Sequence, residues 1–89
     1  MTLAFLNPSR NFDEARNAVS FIGHDGMFEI RFFVEVAALA SRQPHRTEMS
    51  EAECLSAFDA MRSSIEDVAR ELYSRRHSNL NTLSVRDFR

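Results

Sequence analysis

His24, Asp25 and Glu29, set in the stretch FIGHDGMFEI over residues 21–30, are the first groups in this chain with the means to do chemistry. A histidine beside a carboxylate can exchange a proton near neutral pH, and the trio could hold a weakly bound divalent ion. A metal or catalytic site needs more ligands in fixed geometry. The chain has no HExxH, no closely spaced histidine set and no second cysteine to supply them. The same stretch has a structural reading, because Asp-Gly is the dipeptide that closes a two-residue hairpin turn. The turn is the stronger of the two. Catalytic, cofactor and metal residues are therefore not assigned, and His24, Asp25, Glu29 and Arg31 are kept as candidate surface or ligand contacts.

Cys54 is the only cysteine. It stands in the first turn of a helix, where amide donors would favour a thiolate, but it also begins an apolar stripe. The buried, inert thiol fits that stripe better. One cysteine excludes an internal disulfide and fits a reducing compartment.

All eleven basic residues are arginine, against thirteen acidic ones, for a formal charge of −2. That balance argues against a protein held to nucleic acid by bulk charge. Arginines nevertheless cluster at Arg42/Arg46 beside His45, at Arg75 and Arg76 beside His77, and at Arg86 and Arg89. If the last segment folds back beside the preceding helix, the latter two groups form one positive patch suited to phosphate or carboxylate. Arg75 and Arg76 also have a plain reason to be there, since a helix C-terminus favours positive charge.

The elements that position these groups follow from periodicity. Leu3–Leu6 is a candidate edge strand ended by Asn7-Pro8-Ser9. Asp13 is placed to cap a loop or a helical turn, with Phe12 pinning it to the core. Closing the hairpin at Asp25-Gly26 sets His24 opposite Met27, Gly23 opposite Phe28 and Phe21 opposite Ile30. One face then carries Val19, Phe21, Gly23, Phe28, Ile30 and Phe32, with Gly23 leaving room for the Phe28 ring. The other face mixes Ala18, Ile22, Met27 and Phe33 with polar groups, so the N-terminal segment covers it or another molecule does.

A short helix is expected from about Glu35 to Arg42, stopped by Pro44, with a polar connector from Gln43 to Thr47. Ser50-Glu51-Ala52-Glu53 is a capping box, with Met49 stapled against Cys54. Cys54, Phe58, Met61, Ile65, Val68 and Leu72 then recur at helical spacing, predicting one helix from about 51 to 75. Arg62/Glu66, Glu66/Arg70 and Glu71/Arg75 are its i,i+4 pairs. Leu80–Val85 reads as a returning strand, and Ser84–Asp87 as a short cap with Phe88 as an anchor.

Together, FLNPSR, NFDEARNAVSFIGHDG, EIRFFVE, AFDAMRSSIEDVARELY and LSVRDF resemble a family of small bacterial proteins of unknown function. The resemblance spans nearly the whole chain. It implies a compact α+β fold and carries no activity, cofactor or catalytic residue. Ile22 stands where a larger aromatic is common in that family, which weakens any aromatic ligand platform at this position.

The expectation is thus one compact domain over residues 1–89: an α+β fold whose small antiparallel sheet packs on one long C-terminal helix and one short helix. No apolar run is long enough for a membrane span and residues 1–6 lack a basic signal-peptide start, so cytoplasm is the default. A binding or protein-interaction module without catalytic activity is the first functional reading, acting by self-association or on another protein. A small enzyme using the His24/Asp25/Glu29 region is the second, and a nucleic-acid-binding accessory protein the third.

Overall fold

In the computed structural model, residues 3–6, 9–41 and 49–88 are described. The chain runs β1 (Leu3–Ala4), β2 (Arg10–Asp13), β3 (Ala18–Asp25), β4 (Phe28–Glu35), α1 (Val36–Ala40), α2 (Glu51–Ala60), α3 (Arg62–Arg76) and β5 (Leu80–Leu83), closing on a 3-10 turn, Val85–Phe88. The fold is α+β. The helices pack on one face of the sheet, in a core built from Val19, Phe21, Ile30, Phe32, Val34 and Leu83 below and Leu39, Cys54, Phe58, Ile65, Ala69 and Leu72 above. Burial alternates along β3 and β4 only toward the hairpin, where one face meets the helices; at the other end residues 18–21 and 32–34 are buried on both faces.

The sheet is ordered β1-β3-β4-β5, with β2 also paired to β3. β1, β2 and β4 run antiparallel to β3, but β5 runs parallel to β4, so the sheet is mixed and not purely antiparallel as expected. The parallel step follows from the connection. Leaving β4, the chain travels through the helices and re-enters at the end where β4 began, which a crossover makes possible and a hairpin does not.

The hairpin exists with its turn one residue later than expected. Asp25 pairs with Phe28, His24 with Glu29, Gly23 with Ile30 and Phe21 with Phe32. Gly26 alone among the turn residues has positive φ, at 62°. Glycine at the first central position is the II′ pattern, so Gly26-Met27 forms the turn and Asp25 ends the strand. Moving the turn by one residue moves each pairing by two, which leaves every side chain on its expected face. Phe28 is the exception in burial. It stands 74% exposed at the sheet's end, beyond the cover of the helices.

Gly23 therefore does not make room for Phe28. A Cβ there would come 3.0 Å from both Leu3 Cδ1 and Phe5 Cε1, so the missing side chain lets the N-terminal segment close on the core. That segment packs into the helix side. It does not cover the second face, where the guanidinium of Arg16 lies over the Phe33 ring at 4.4 Å.

Arg10–Asp13 is a strand that sequence did not announce, and the loop or helical turn expected over residues 13–17 follows it as a turn. Asp13 still acts as a local cap, its Oδ1 accepting the Arg16 N–H at 3.1 Å in the turn to β3. Asn17 completes that turn with φ 50°, a conformation asparagine tolerates better than most residues.

The expected helix over residues 51–75 is two helices, bent at Met61 (φ −102°, ψ 10°). No glycine or proline causes the bend. A straight helix of that length would span about 38 Å, against about 26 Å for the longest strands. The bend keeps Phe58 on Phe21, with ring centroids 5.2 Å apart, while α3 lays Ile65, Ala69 and Leu72 on the core. At its start the capping box is complete: Ser50 Oγ accepts from the Glu53 N–H, and the Ser50 N–H donates to Glu53 Oε1 at 2.9 Å. Met49 packs half-buried against the core beside it. Of the expected ion pairs, Arg62–Glu66 and Arg75–Glu71 form at 4.0 and 3.9 Å. Arg70 turns instead to Asp67 at 3.2 Å, to the Leu3 carbonyl and over the Phe5 ring, tying α3 to the N-terminal segment. At the end of the chain, Asp87 accepts from both the Ser84 N–H and hydroxyl, and Phe88 is the half-buried anchor. The connector over residues 43–47 and the Arg42/His45/Arg46 cluster lie outside the described residues.

Candidate functional site

The β3–β4 turn, the last turn of α3 and the start of β5 meet at one end of the sheet. Two bonds fix that meeting. The Tyr73 hydroxyl of α3 donates to Asp25 Oδ2 at 2.6 Å, and the Arg31 N–H of β4 donates to the Asn79 carbonyl at 2.9 Å. Most of the candidate residues named from sequence gather here, divided between the two sides of the sheet.

His24 and Glu29 lie directly opposite each other on the face turned away from the helices. Arg31 occupies the next level of that face, between Ile22 on β3 and Leu80 on β5. His24 Nδ1 is buried without a hydrogen-bond partner, and among the described residues neither Glu29 nor Arg31 forms an ion pair. Asp25 points to the helix side, where Tyr73 holds its carboxylate. His24 and Glu29 thus share a face without a hydrogen bond or ion pair between them among the described residues, while Asp25 serves the helix.

Tyr73 is the single tyrosine, and its ring stacks on His77 at 5.4 Å between centroids. His77 caps α3 in the left-handed region, with Nε2 3.0 Å from the Ser74 carbonyl. The hydrogen bond to Asp25 raises the Tyr73 pKa, with burial and the nearby negative charge acting the same way. A raised value means that this contact contributes fully below the unfolded-state pKa and is lost as pH climbs through the folded one. With one tyrosine present, alkaline titration of phenolate absorbance reads this group alone. The expected midpoint lies above the ordinary 10.0, and Asp25→Asn should bring it down; an unchanged midpoint in that variant would remove the Asp25 contact from the account.

Arg75 and Arg76 are exposed in the last turn of α3. Arg86 follows β5 toward the opposite end of the sheet, and Arg89, the other member of the patch expected from sequence, lies outside the described residues. Cys54 is buried in the first turn of α2, and burial raises its thiol pKa. That is the burial expected from its place in the stripe, and His77 caps the far end of α3. Among the described residues no three His, Cys, Asp or Glu side chains are arranged to hold a metal ion, and no helix is long and apolar enough to cross a membrane.

Two long-range contacts between polar side chains were not foreseen. One is Tyr73–Asp25, although a lone tyrosine on an apolar helix stripe signals a hydroxyl in need of a partner. The other is the fork from Arg10 on β2 to Asp59 on α2, at 2.9 Å for Nε–Oδ1 and 2.8 Å for Nη2–Oδ2. Arg10, with help from Arg62, holds the Asp59 pKa below the usual carboxylate value. Its contribution is present above the unfolded-state pKa and lost as pH falls through the folded one. Nothing in sequence spacing marks a pair 49 residues apart.

The apolar groups at this end complete the site. Met27 is 98% exposed, Phe28 74% and Leu80 49%, with Leu6 (77%) on the adjoining edge beyond β1. Farther along the open face, Ser9, Asn11, Ser20, Ile22 and Arg31 line a shallow depression of about 30 Å³, room for one or two waters.

A family profile described as "Protein of unknown function (DUF1488)" matches residues 3–84. Among solved structures, the chain is similar to a protein of unknown function from the DUF1488 family of Shewanella loihica PV-4. The TM-score is 0.80 at 17% identity, over 93% of this chain and 94% of that one. At that identity the likeness speaks for the fold. No curated protein matches the chain. The match over nearly the full length, with the shared fold, makes this chain a member of the DUF1488 family.

Proposed function

We propose that the protein is a binding module that engages another protein through the hairpin end of its sheet, without catalytic chemistry of its own. The observation that carries this reading is the exposure of Met27 and Phe28 at the hairpin end, with Leu80 exposed near the same end on the other face of the sheet. Large apolar side chains in water cost free energy, and a cluster of them rimmed by charge is what a protein-interaction surface looks like. Arg31, Arg75 and Arg76 provide that rim, and arginine is enriched at such surfaces.

The arrangement of the titratable groups supports binding over catalysis. His24 and Glu29 stand on the open face, Asp25 is committed to Tyr73 on the other, and Cys54 is sealed in the core. Catalysis needs such groups converging on one reacting atom.

A photoreactive residue placed at position 28 and activated in native cell extract tests the reading. The expected result is a discrete protein adduct that is lost when Met27→Ser is added. A product containing nucleic acid, no product, or a protein adduct indifferent to Met27→Ser would overturn it.

A further inference from the structure

The open face of the sheet carries a charge pattern that complements itself. Glu29 and Arg31 are exposed, two residues apart on β4, and point to the same side. Both lack an intramolecular ion partner among the described residues, although ion pairs are common elsewhere on this chain. Half-buried Ile22 and exposed Leu80 flank Arg31 on the neighbouring strands, and His24 flanks Glu29. Farther along the same face Ala18, Ser20 and Phe33 are already buried within the chain, so the exposed part is the end that carries Glu29, Arg31 and Leu80.

We propose that a second copy of this chain docks on this face around a twofold axis. The proposal goes beyond the interaction reading above, because Phe28 faces the helix side and lies outside this interface. The axis lies between the two sheets, perpendicular to β4 and level with Ile30. It sets the two β4 strands antiparallel, one above the other, so that Glu29 of each copy meets Arg31 of the other. Two reciprocal pairs result from one contact, as an isologous interface requires. The same rotation brings Ile22 of each copy over His24 of the other and places both Leu80 side chains under cover. Sheets stacked about 10 Å apart leave room for a Glu–Arg pair between them.

The size of the face sets the strength. Strands of two to eight residues offer at most roughly 400 Å² per copy, against about 800 Å² in a standard stable interface. The dimer is accordingly weak and concentration-dependent.

Sedimentation of the full chain from micromolar to millimolar concentration tests this. Wild type shifts from monomer to dimer across that range. Arg31→Glu and Glu29→Arg each place like charges opposite each other twice, and each should weaken the dimer at least tenfold. Arg86→Glu changes net charge as much as Arg31→Glu does, at the far end, and should leave it unchanged. Mixing the Arg31→Glu and Glu29→Arg proteins is the decisive arm. The mixed pair places arginines opposite glutamates at both contacts, so a 1:1 heterodimer forms from two proteins that do not pair with themselves. A wild-type dimer that neither charge reversal weakens, or reversals that are not rescued by mixing, would place the interface elsewhere and overturn this assignment while leaving the interaction reading intact. A wild type that stays monomeric overturns the homodimer outright, and crosslinking at position 28 then decides the broader reading on its own.

Discussion

Phe32→Ala is expected to remove about 3–5 kcal/mol of folding stability, the range for emptying a fully buried aromatic site. Phe32 has no exposed surface and sits at the centre of the ring cluster, 5.2 Å from Phe21 and 6.0 Å from Phe5 between centroids. Its loss opens a cavity lined by residues from the N-terminal segment, the hairpin and the helices at once, and no single element can relax to fill it. For a domain of this size, total stability is of the order of 5–15 kcal/mol, so the change takes a large share. Urea unfolding followed by far-UV circular dichroism gives the number. Phe32→Leu, which keeps most of the volume, should cost much less. A loss below about 1 kcal/mol for the alanine variant would mean that the cluster is not the packing centre described here.

Gly23→Val should cost about 1–3 kcal/mol by overpacking, and the damage should be local. Strand φ at Gly23 is ordinary, so sterics alone hold the position open. The first carbon of any side chain already meets Leu3 and Phe5 at 3.0 Å, and valine adds two more. Those partners belong to the N-terminal segment, held by two residue pairings to β3 and by Arg70. Displacing that segment is the cheapest way out. The Gly23→Val protein should therefore be cut by protease within residues 3–9 far faster than wild type, with the rest of the chain still protected. Gly23→Ala separates the contributions, because its clash is offset in part by about 0.4–1 kcal/mol from a less flexible unfolded chain. A Gly23→Val protein as stable as wild type, with an uncut N-terminal segment, would mean that the close approach at this glycine has no consequence.

The particular elements differ in how openly the sequence announces them. The capping box at Ser50 and the alternation through β3 and β4 are local patterns, and the structure follows both. The hairpin turn came out one residue late because Asp-Gly and Gly-Met both offer glycine a positive φ, and the choice between them is settled by what Asp25 and Phe21 gain elsewhere. Asp25 gains Tyr73, and Phe21 gains Phe32. β2 was missed for a related reason. Asn11 and Asp13 are poor strand formers, and the segment becomes a strand because β3 presents an unpaired edge and Arg10 finds Asp59.

Short-range chemistry in the chain alone therefore determined where the helix begins, which side of each strand is greasy, and that Cys54 is buried. Only the assembled fold decided that β5 joins in parallel, that the long helix bends at Met61, and that Asp25 turns to Tyr73 on the helix side. Periodicity and capping act over a few residues and are written in the order of side chains. Partnerships such as Tyr73–Asp25 and Arg10–Asp59 depend on which surfaces meet once the core has closed, and no local pattern encodes that.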